Sequence, residues 1–520
     1  MISRQPKGVA IAIGVSAGAV ALGFGELFAG IAGTPKSPLA VVGGRVVDGA
    51  PKVVRDVAID WFGTRDKAVL LAGIVAVGLV LAAGVGLLAR RRLELGLAAL
   101  AGFGAIGVAA ALVEPSAGAA AVAAPALAGV VGIASLWFLT AVLLPLPHEV
   151  PEPESDPSIG GAATGEVSRR RFLALTGGAA ALAVSAGAVG RLLQSQGRAA
   201  ASRLAVLLPI PRRRPAPVPP GAELGLNGLS PVITPNRSFY RIDTSLFVPQ
   251  VTTEGWSLRI HGMVDREIRL SYDDLLARDL VEVDITLACV SNEVGGGLVG
   301  NARWLGAPLS QLLDEAGVQR GADQIVGRSV DNFTAGFPVG AVDDERPAIV
   351  AVGMNGEPLP LRHGFPARLV VAGLYGYVSA TKWLAEIELT RFDRFDAYWI
   401  RRGWAEQAPV KTMARIDTPR SSRGLVAGSL PVAGVAWAPT RGIAGVDVQV
   451  DDGPWEAAQL AEAISDETWR QWVFEWQATP GKHRLRARAT DGEGTTQTEE
   501  RAEPFPDGAT GWHSVIVDVG

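Results

Sequence analysis

From Ala68 to Ala89 the chain carries no charged residue, and Arg90-Arg91-Arg92 follows at once. A run of about 20 apolar residues is what a helix needs to cross a bilayer. Within lipid a single segment must satisfy its own backbone amides, which makes a helix of it. Three further stretches share the pattern: Val9–Ile31, Leu95–Val113 and Ala117–Leu144. Residues 1–147 therefore read as a four-span, all-α membrane domain. Cytoplasmic loops carry an excess of Lys and Arg, which puts the arginine triplet inside, and Arg4 and Lys7 agree. The loop from Thr34 to Lys67 mixes basic residues with Asp48, Asp56, Asp60 and Asp66 and gives only a weak orientation signal.

Residues 148–195 form a second block. A linker rich in Pro, Glu and Ser, His148 to Val167, leads to Ser168-Arg169-Arg170-Arg171-Phe172-Leu173 and an uncharged run to Gly190. Paired arginines ahead of a moderately apolar run resemble a twin-arginine export signal. The plainer alternative is the inner end of a fifth span. Either way, about five spans with the N-terminus inside leave the rest of the chain on the extracytoplasmic side. No small-residue cleavage site stands out, so a retained anchor is expected. Glu26 is the notable ionisable residue within the spans, and snorkelling to the interface is at least as good a reading as function. The five histidines stand at 148, 261, 363, 483 and 513, none within the spans, which excludes a membrane haem held by paired histidines of this chain. With 48 basic and 52 acidic residues there is no case for a nucleic-acid partner.

Residues 196–224, rich in Pro and Arg, read as an extended linker. Beyond them the texture is globular. Trp256 to Gly262 alternates as a strand, and Ser271 is the natural N-cap of a helix with Asp273 and Asp274 in its first turn. The run Val283-Asp284-Ile285-Thr286-Leu287-Ala288 has the period of a half-buried strand and ends at Cys289, the only cysteine. Ser291, Asn292 and three glycines, Gly295 to Gly297, follow. A lone cysteine is either a small buried hydrophobe or a soft thiolate ligand to a metal. One cysteine also rules out an intramolecular disulfide. Asp331 to Pro338 reads as a polar loop, and Asn355-Gly356 as a turn joining two strands. From Met413 onward short alternating strands suggest a β-sandwich.

The stretch around Cys289 and Asn292, with Asn301-Ala302-Arg303-Trp304-Leu305-Gly306 downstream, resembles the sulfite oxidase and molybdopterin-dependent oxidoreductase family. A second motif, Leu361-Arg362-His363-Gly364-Phe365-Pro366-Ala367-Arg368 continuing to Ser379-Ala380-Thr381-Lys382-Trp383, resembles the same family. The resemblance implies an α+β sulfite-oxidase-type molybdopterin domain over residues 225–410 and an immunoglobulin-like dimerisation domain over 411–520. It implies that Cys289 ligates molybdenum and that a molybdenum–molybdopterin cofactor is bound. Asn236, Tyr240, Arg241, Asn292, His363, Arg368 and Ser379 are then expected to hold the pterin and its phosphate, with Thr334 a further contact. The family's Ser-x-Lys-Trp loop has one extra residue here, which leaves the contact open between Thr381 and Lys382.

The function implied is a membrane-anchored, extracytoplasmic oxidoreductase that transfers an oxygen atom to or from a small sulfur compound. No haem or iron–sulfur motif is present, so electrons are expected to pass to a separate cytochrome or quinone-linked carrier. A homodimer is compatible with the C-terminal domain. Where sulfite enzymes carry arginine after Cys-x-x-Asn, this chain has Glu293 and Val294, so Arg303 either compensates as a catalytic residue or the substrate is neutral, such as a sulfoxide. The rival from another class is a non-catalytic membrane-anchored binding protein.

Overall fold

The computed structural model describes residues 6–34, 37–49, 66–113, 119–143, 169–195, 197–245, 247–343, 346–420 and 425–520. The linker expected from His148 to Val167, and Ser168, lie outside them, as does most of the first loop. The chain forms two compact units: Met1–Ala201 with Ser245–Gln250, and Ser202–Thr244 with Val251–Gly520.

In the first unit, five helices among the described residues are long and apolar enough to cross a membrane. They are Lys7–Ala32, Asp66–Arg91, Leu93–Leu112, Ala119–Leu143 and Arg169–Ser195. The first is the hub, with the second, fourth and fifth packed against it. Small residues permit that closeness, as at helix crossings in lipid. A Cβ on Gly14 would lie 2.1 Å from the Ala82 carbonyl oxygen, and one on Gly86 2.0 Å from that of Ala10. Glu26 is buried with its carboxylate 3.7 Å from the Arg191 guanidinium.

Among the described residues the second unit holds four sheets. Strands β1 (Ser257–Gly262), β2 (Ile268–Ser271), β3 (Val281–Ala288), β4 (Val299–Pro308), β5 (Gln324–Ser329), β6 (Thr334–Pro338), β7 (Ala348–Met354), β8 (Glu357–Pro358), β9 (Arg368–Val371) and β10 (Leu384–Thr390) make two of them. One sheet has the order β2-β1-β10-β5-β6; the other runs β3-β4-β7-β8, with β9 also on β7. Ser271 caps the helix Tyr272–Leu276 in a capping box with Asp274. Asn355 and Gly356 both have positive φ, 53° and 80°, the conformation of a tight hairpin turn between β7 and β8. The stretch expected as a polar loop instead contains β6, because Ala335 and Phe337 are buried and pair with β5.

Strand β3 is buried on both faces, not one. Asp284 and Thr286 are 5% and 1% exposed. The reason lies in the C-terminal sheets: the Trp469 amide donates to Thr286 Oγ1 at 2.7 Å, and the Thr286 amide donates to the Glu467 carbonyl at 3.0 Å. Those sheets comprise β11 (Met413–Thr418), β12 (Gly428–Trp437), β13 (Ile443–Val450), β14 (Trp455–Ala457), β15 (Gln459–Leu460), β16 (Arg470–Ala478), β17 (Gly481–Asp491) and β18 (His513–Val519). Their orders are β11-β12-β16-β15 and β14-β13-β17-β18, and Ile416, Trp472, Leu485 and Val517 share one core between them.

The Pro/Arg-rich stretch begins with a helix, Arg198–Ala205, and then runs along the second unit. The Arg212 amide donates to the Leu280 carbonyl at 2.8 Å, and Arg213 bridges Val281.

Candidate active site

Cys289 follows β3 directly, so a rigid strand places its sulfur while the next residues are free to turn. Its amide donates to the Leu298 carbonyl at 2.9 Å, and the Asn292 amide returns to the Cys289 carbonyl at 3.0 Å. Asn292 Oδ1 accepts from the Leu298 amide at 2.8 Å and closes the loop. A Cβ on Gly296 would meet Asn292 Oδ1 at 2.6 Å, so that position must stay bare. Cys289 is 7% exposed and lines a cleft. Burial pushes its thiol pKa up, against hydrogen bonds from Ser291 and the charge of Lys382. A thiol so placed stays protonated until a metal displaces the proton, so it is no free nucleophile.

One wall of the cleft is cationic. Arg368, on β9, is 4% exposed. Its donors reach only backbone carbonyls: Nη1 to His363 at 3.2 Å, Nε to Leu369 at 3.4 Å and Nη2 to Ala380 at 3.5 Å. It lies 5.0 Å over the Trp304 ring and, among the described residues, pairs with no carboxylate. Burial lowers its pKa to about 10. Lys382 donates to the Ile242 carbonyl at 2.8 Å and to Asp243 at 3.2 Å, and burial lowers its pKa to about 8. Tyr240 completes this wall; burial, and then the neighbouring Cys289, keep its phenol protonated.

The cleft also has an aromatic lining. Phe333, Tyr377, Trp399 and Trp404 line it. Ring centroids of Tyr377 and Trp404 lie 5.8 Å apart, and those of Trp399 and Trp404 6.2 Å. The Tyr377 hydroxyl donates to the Ala405 carbonyl at 2.6 Å.

Of the expected residues, Cys289, Tyr240, Arg368 and Lys382 meet in this cleft. The others do not line it. His363 sits behind Arg368, 1% exposed, with Nε2 2.9 Å from the Asn236 carbonyl. That contact requires the proton on Nε2, and burial together with the Arg368 charge lowers the pKa to about 3, so the ring is neutral. Asn236 bonds the Met354 carbonyl, Glu357 and Asn355 at 3.1, 2.8 and 2.8 Å. Arg241 pairs with Asp243 at 2.7 Å. Ser379 bonds the Tyr375 carbonyl at 3.1 Å, Thr381 the Gly327 carbonyl at 3.4 Å, and Thr334 accepts from the Tyr398 amide at 3.0 Å. Arg303 forms a two-pronged pair with Asp284, its cross-strand neighbour, at 2.9 and 2.7 Å. Sequence reasoning passed over Asp243, Ser291, Tyr377, Trp399 and Trp404. The density of aromatic and basic residues in Tyr398-Trp399-Ile400-Arg401-Arg402-Gly403-Trp404 was the available signal.

Among the described residues no group of three His, Cys, Asp or Glu could hold a metal. Residues 245–399 match the family model for the oxidoreductase molybdopterin binding domain. The uncharacterized oxidoreductase YuiH of Bacillus subtilis is 32% identical over 151 residues, 29% of this chain and 72% of that protein. The chain belongs to the molybdopterin-binding oxidoreductases. Mitochondrial sulfite oxidase of Homo sapiens is 28% identical over 300 residues, 49% of this chain and 54% of that protein. The chain thus spans about half the length of the curated sulfite oxidases it matches. The sulfane dehydrogenase SoxCD of Paracoccus pantotrophus shares the fold, with TM-score 0.50 and 21% identity over 59% of this chain and 88% of that one.

Proposed function

We propose that the chain is a membrane-anchored molybdenum-cofactor oxidoreductase whose cleft faces the extracytoplasmic space. The observation that carries the cofactor reading is Arg368: a buried guanidinium with no carboxylate partner among the described residues suits an anion. Arg368 and Lys382 would hold the pterin phosphate, and Cys289 would ligate the metal as thiolate. Bound there, the cofactor supplies two-electron oxygen-atom transfer. Tyr240, kept protonated, offers a hydrogen-bond donor to the same face. Trp399 and Trp404 exclude water from the reacting end and orient the substrate.

The substrate is a small sulfur compound. The lining of the cleft favours a neutral one, such as a sulfoxide, over sulfite. Among the described residues its only arginine and lysine are Arg368 and Lys382, and Arg303 is engaged with Asp284 elsewhere. The five apolar helices, with Arg90 to Arg92 and the twin-arginine-like Arg169 to Arg171 at inner ends, support anchoring and export. The C-terminal sheet pair is an immunoglobulin-like dimerisation module in this reading, and electrons pass to a separate cytochrome or quinone-linked carrier.

Metal and pterin analysis of the purified chain and of Cys289→Ser tests the proposal. Molybdenum and pterin are expected in the wild type, with activity lost in the variant; a wild type without molybdenum would overturn it. Oxidation of a reduced dye by a sulfoxide, against sulfite-dependent dye reduction, decides the substrate.

A further inference from the structure

Leu204, Leu207 and Ile210 are 78%, 89% and 84% exposed. They recur every third residue on a segment that is itself fixed. Val206 and Leu208, the neighbours of Leu207, pack against the core of the catalytic unit. Arg203 donates to the Leu359 carbonyl at 2.9 Å and pairs with Glu357, and Glu282 donates its amide to the Arg213 carbonyl at 2.9 Å. The backbone is thus clamped at both ends, and alternation turns Leu207 away from the core. Three large aliphatic side chains held outward on a clamped segment form an interaction surface.

Its place in the chain says what covers it. The last apolar helix ends at Ser195, and Leu204 follows nine residues later in the helix Arg198–Ala205. Three extended residues and six helical steps reach about 20 Å. The surface is therefore tethered within reach of the headgroup layer that any membrane-spanning helix must leave through. Arg212, Arg213 and Arg214 follow; Arg212 shares Asp279 at 2.6 Å and Arg214 approaches Glu282 at 4.0 Å, so the surplus positive charge rests on Arg213. Aliphatic side chains beside a basic residue suit the boundary between acyl chains and headgroups.

We infer that Leu204, Leu207 and Ile210 dock the catalytic unit onto the bilayer surface. The inference rests on the membrane-anchored reading of the five helices, so its test keeps the two apart. The full chain would be placed in phosphatidylcholine nanodiscs with an environment-sensitive fluorophore on Leu207→Cys, on Val80→Cys in the second long helix, or on Asp452→Cys, 85% exposed by side chain in the C-terminal sheets. Cys289 is buried, so the unsubstituted chain serves as the labelling blank. Unchanged metal content shows that each variant folds. The Leu207 label is expected to shift to the blue and to be quenched by lipid-borne spin labels, as the Val80 label is, while the Asp452 label stays aqueous. A Leu207 label that behaves like Asp452, beside a quenched Val80 label, overturns the docking surface and leaves the anchor standing. A blue-shifted Leu207 label that lipid quenchers do not reach means a protein covers the surface, and also overturns it. An unquenched Val80 label removes the anchor, and the docking surface with it.

Discussion

Two buried arginines in the catalytic unit have nearly the same exposure, 4% at Arg368 in the cleft and 3% at Arg415 beside the cysteine loop. Their surroundings differ in kind. Arg415 Nε donates to Asp417 at 2.7 Å, Nη1 to the Gly296 carbonyl at 2.8 Å and Nη2 to Ser230 Oγ at 2.9 Å. Asp417 in turn accepts from the Ser230 amide at 3.0 Å and from Arg420 at 2.6 Å. Arg368 has three backbone carbonyls at 3.2 to 3.5 Å and no carboxylate among the described residues. A buried charge costs free energy unless it is paired. Arg415 is therefore a finished structural joint, tying the C-terminal sheets to the loop that follows Cys289. Arg368 has no such partner among the described residues, and the proposed anion socket rests on that difference.

The largest expected effect falls on the finished joint. Asp417→Asn leaves the Arg415 charge buried and unpaired, which should cost about 3 to 5 kcal/mol of stability. Thermal unfolding of the purified protein in detergent measures it. The double variant Arg415→Met with Asp417→Leu removes both charges and should recover much of that loss. If Asp417→Asn costs no more than a surface substitution, the joint is not what holds the loop.

The histidines extend the contrast to pH. His363, behind the cleft, and His513, at the joint, have folded-state pKa values lowered to about 3 and about 4, in both cases chiefly by burial. His513 Nδ1 accepts from the Ile416 amide at 2.9 Å and so must be unprotonated there. In the unfolded chain both titrate near 6.5. Below that pH the unfolded state binds protons that the folded state refuses, so stability falls as pH drops from about 6.5 toward 4, with an upper bound of about 3 kcal/mol for each histidine. Above 6.5 neither residue contributes a slope. His363→Gln should flatten the part due to the cleft; an unchanged acid limb would show that His363 is charged in the folded state.

Arg368→Met should do the reverse of Asp417→Asn. The cofactor-free chain should lose less than about 1 kcal/mol, since an unpaired buried charge is traded for an apolar side chain of similar length. Anion binding should weaken roughly ten- to hundred-fold, the worth of a charge-assisted hydrogen bond. Molybdenum and pterin content reports the second effect, and the rise in melting temperature with added inorganic phosphate reports it without any cofactor. A variant as unstable as Asp417→Asn would make Arg368 a second structural joint.

Much of this was legible in the sequence where a local rule applies. The uncharged runs read as helices within a few residues of their ends, Ser271 as a cap, Asn355-Gly356 as a turn, and Cys289 as the end of a strand. What could not be read is which non-periodic side chains converge. Strand β3 looked half-buried because its second cover, Trp469, lies far along the chain. Trp399 and Trp404 reach the cleft from a segment without periodicity, and Cys289 and Tyr240 reach it from more than one hundred residues earlier in the chain. The resemblance made Ser379 and Asn236 contacts to a cofactor; here Ser379 bonds the Tyr375 carbonyl, Thr334 accepts from the Tyr398 amide, and Asn236 bonds the Met354 carbonyl and the Glu357 and Asn355 side chains.

Arg303 yields the smallest expected effect and the sharpest contrast with Arg368. Both are arginines on strands of one sheet, and sequence reasoning gave both a role at the site. Arg303 is committed to Asp284, whose side chain is 2% exposed while that of Arg303 is 27% exposed. Arg303→Lys keeps the positive charge beside Asp284 and loses the two-pronged geometry, which should cost about 1 kcal/mol of stability. Turnover should stay within about two-fold of wild type, because a ΔΔG‡ below roughly 0.4 kcal/mol is all that a group outside the cleft transmits without moving it. Steady-state kinetics with the substrate that the dye assays identify decides the point. A fall in kcat well beyond that, with unchanged unfolding, would mean that Arg303 leaves Asp284 to meet the substrate, and the cleft would then hold a third cation at its reacting end.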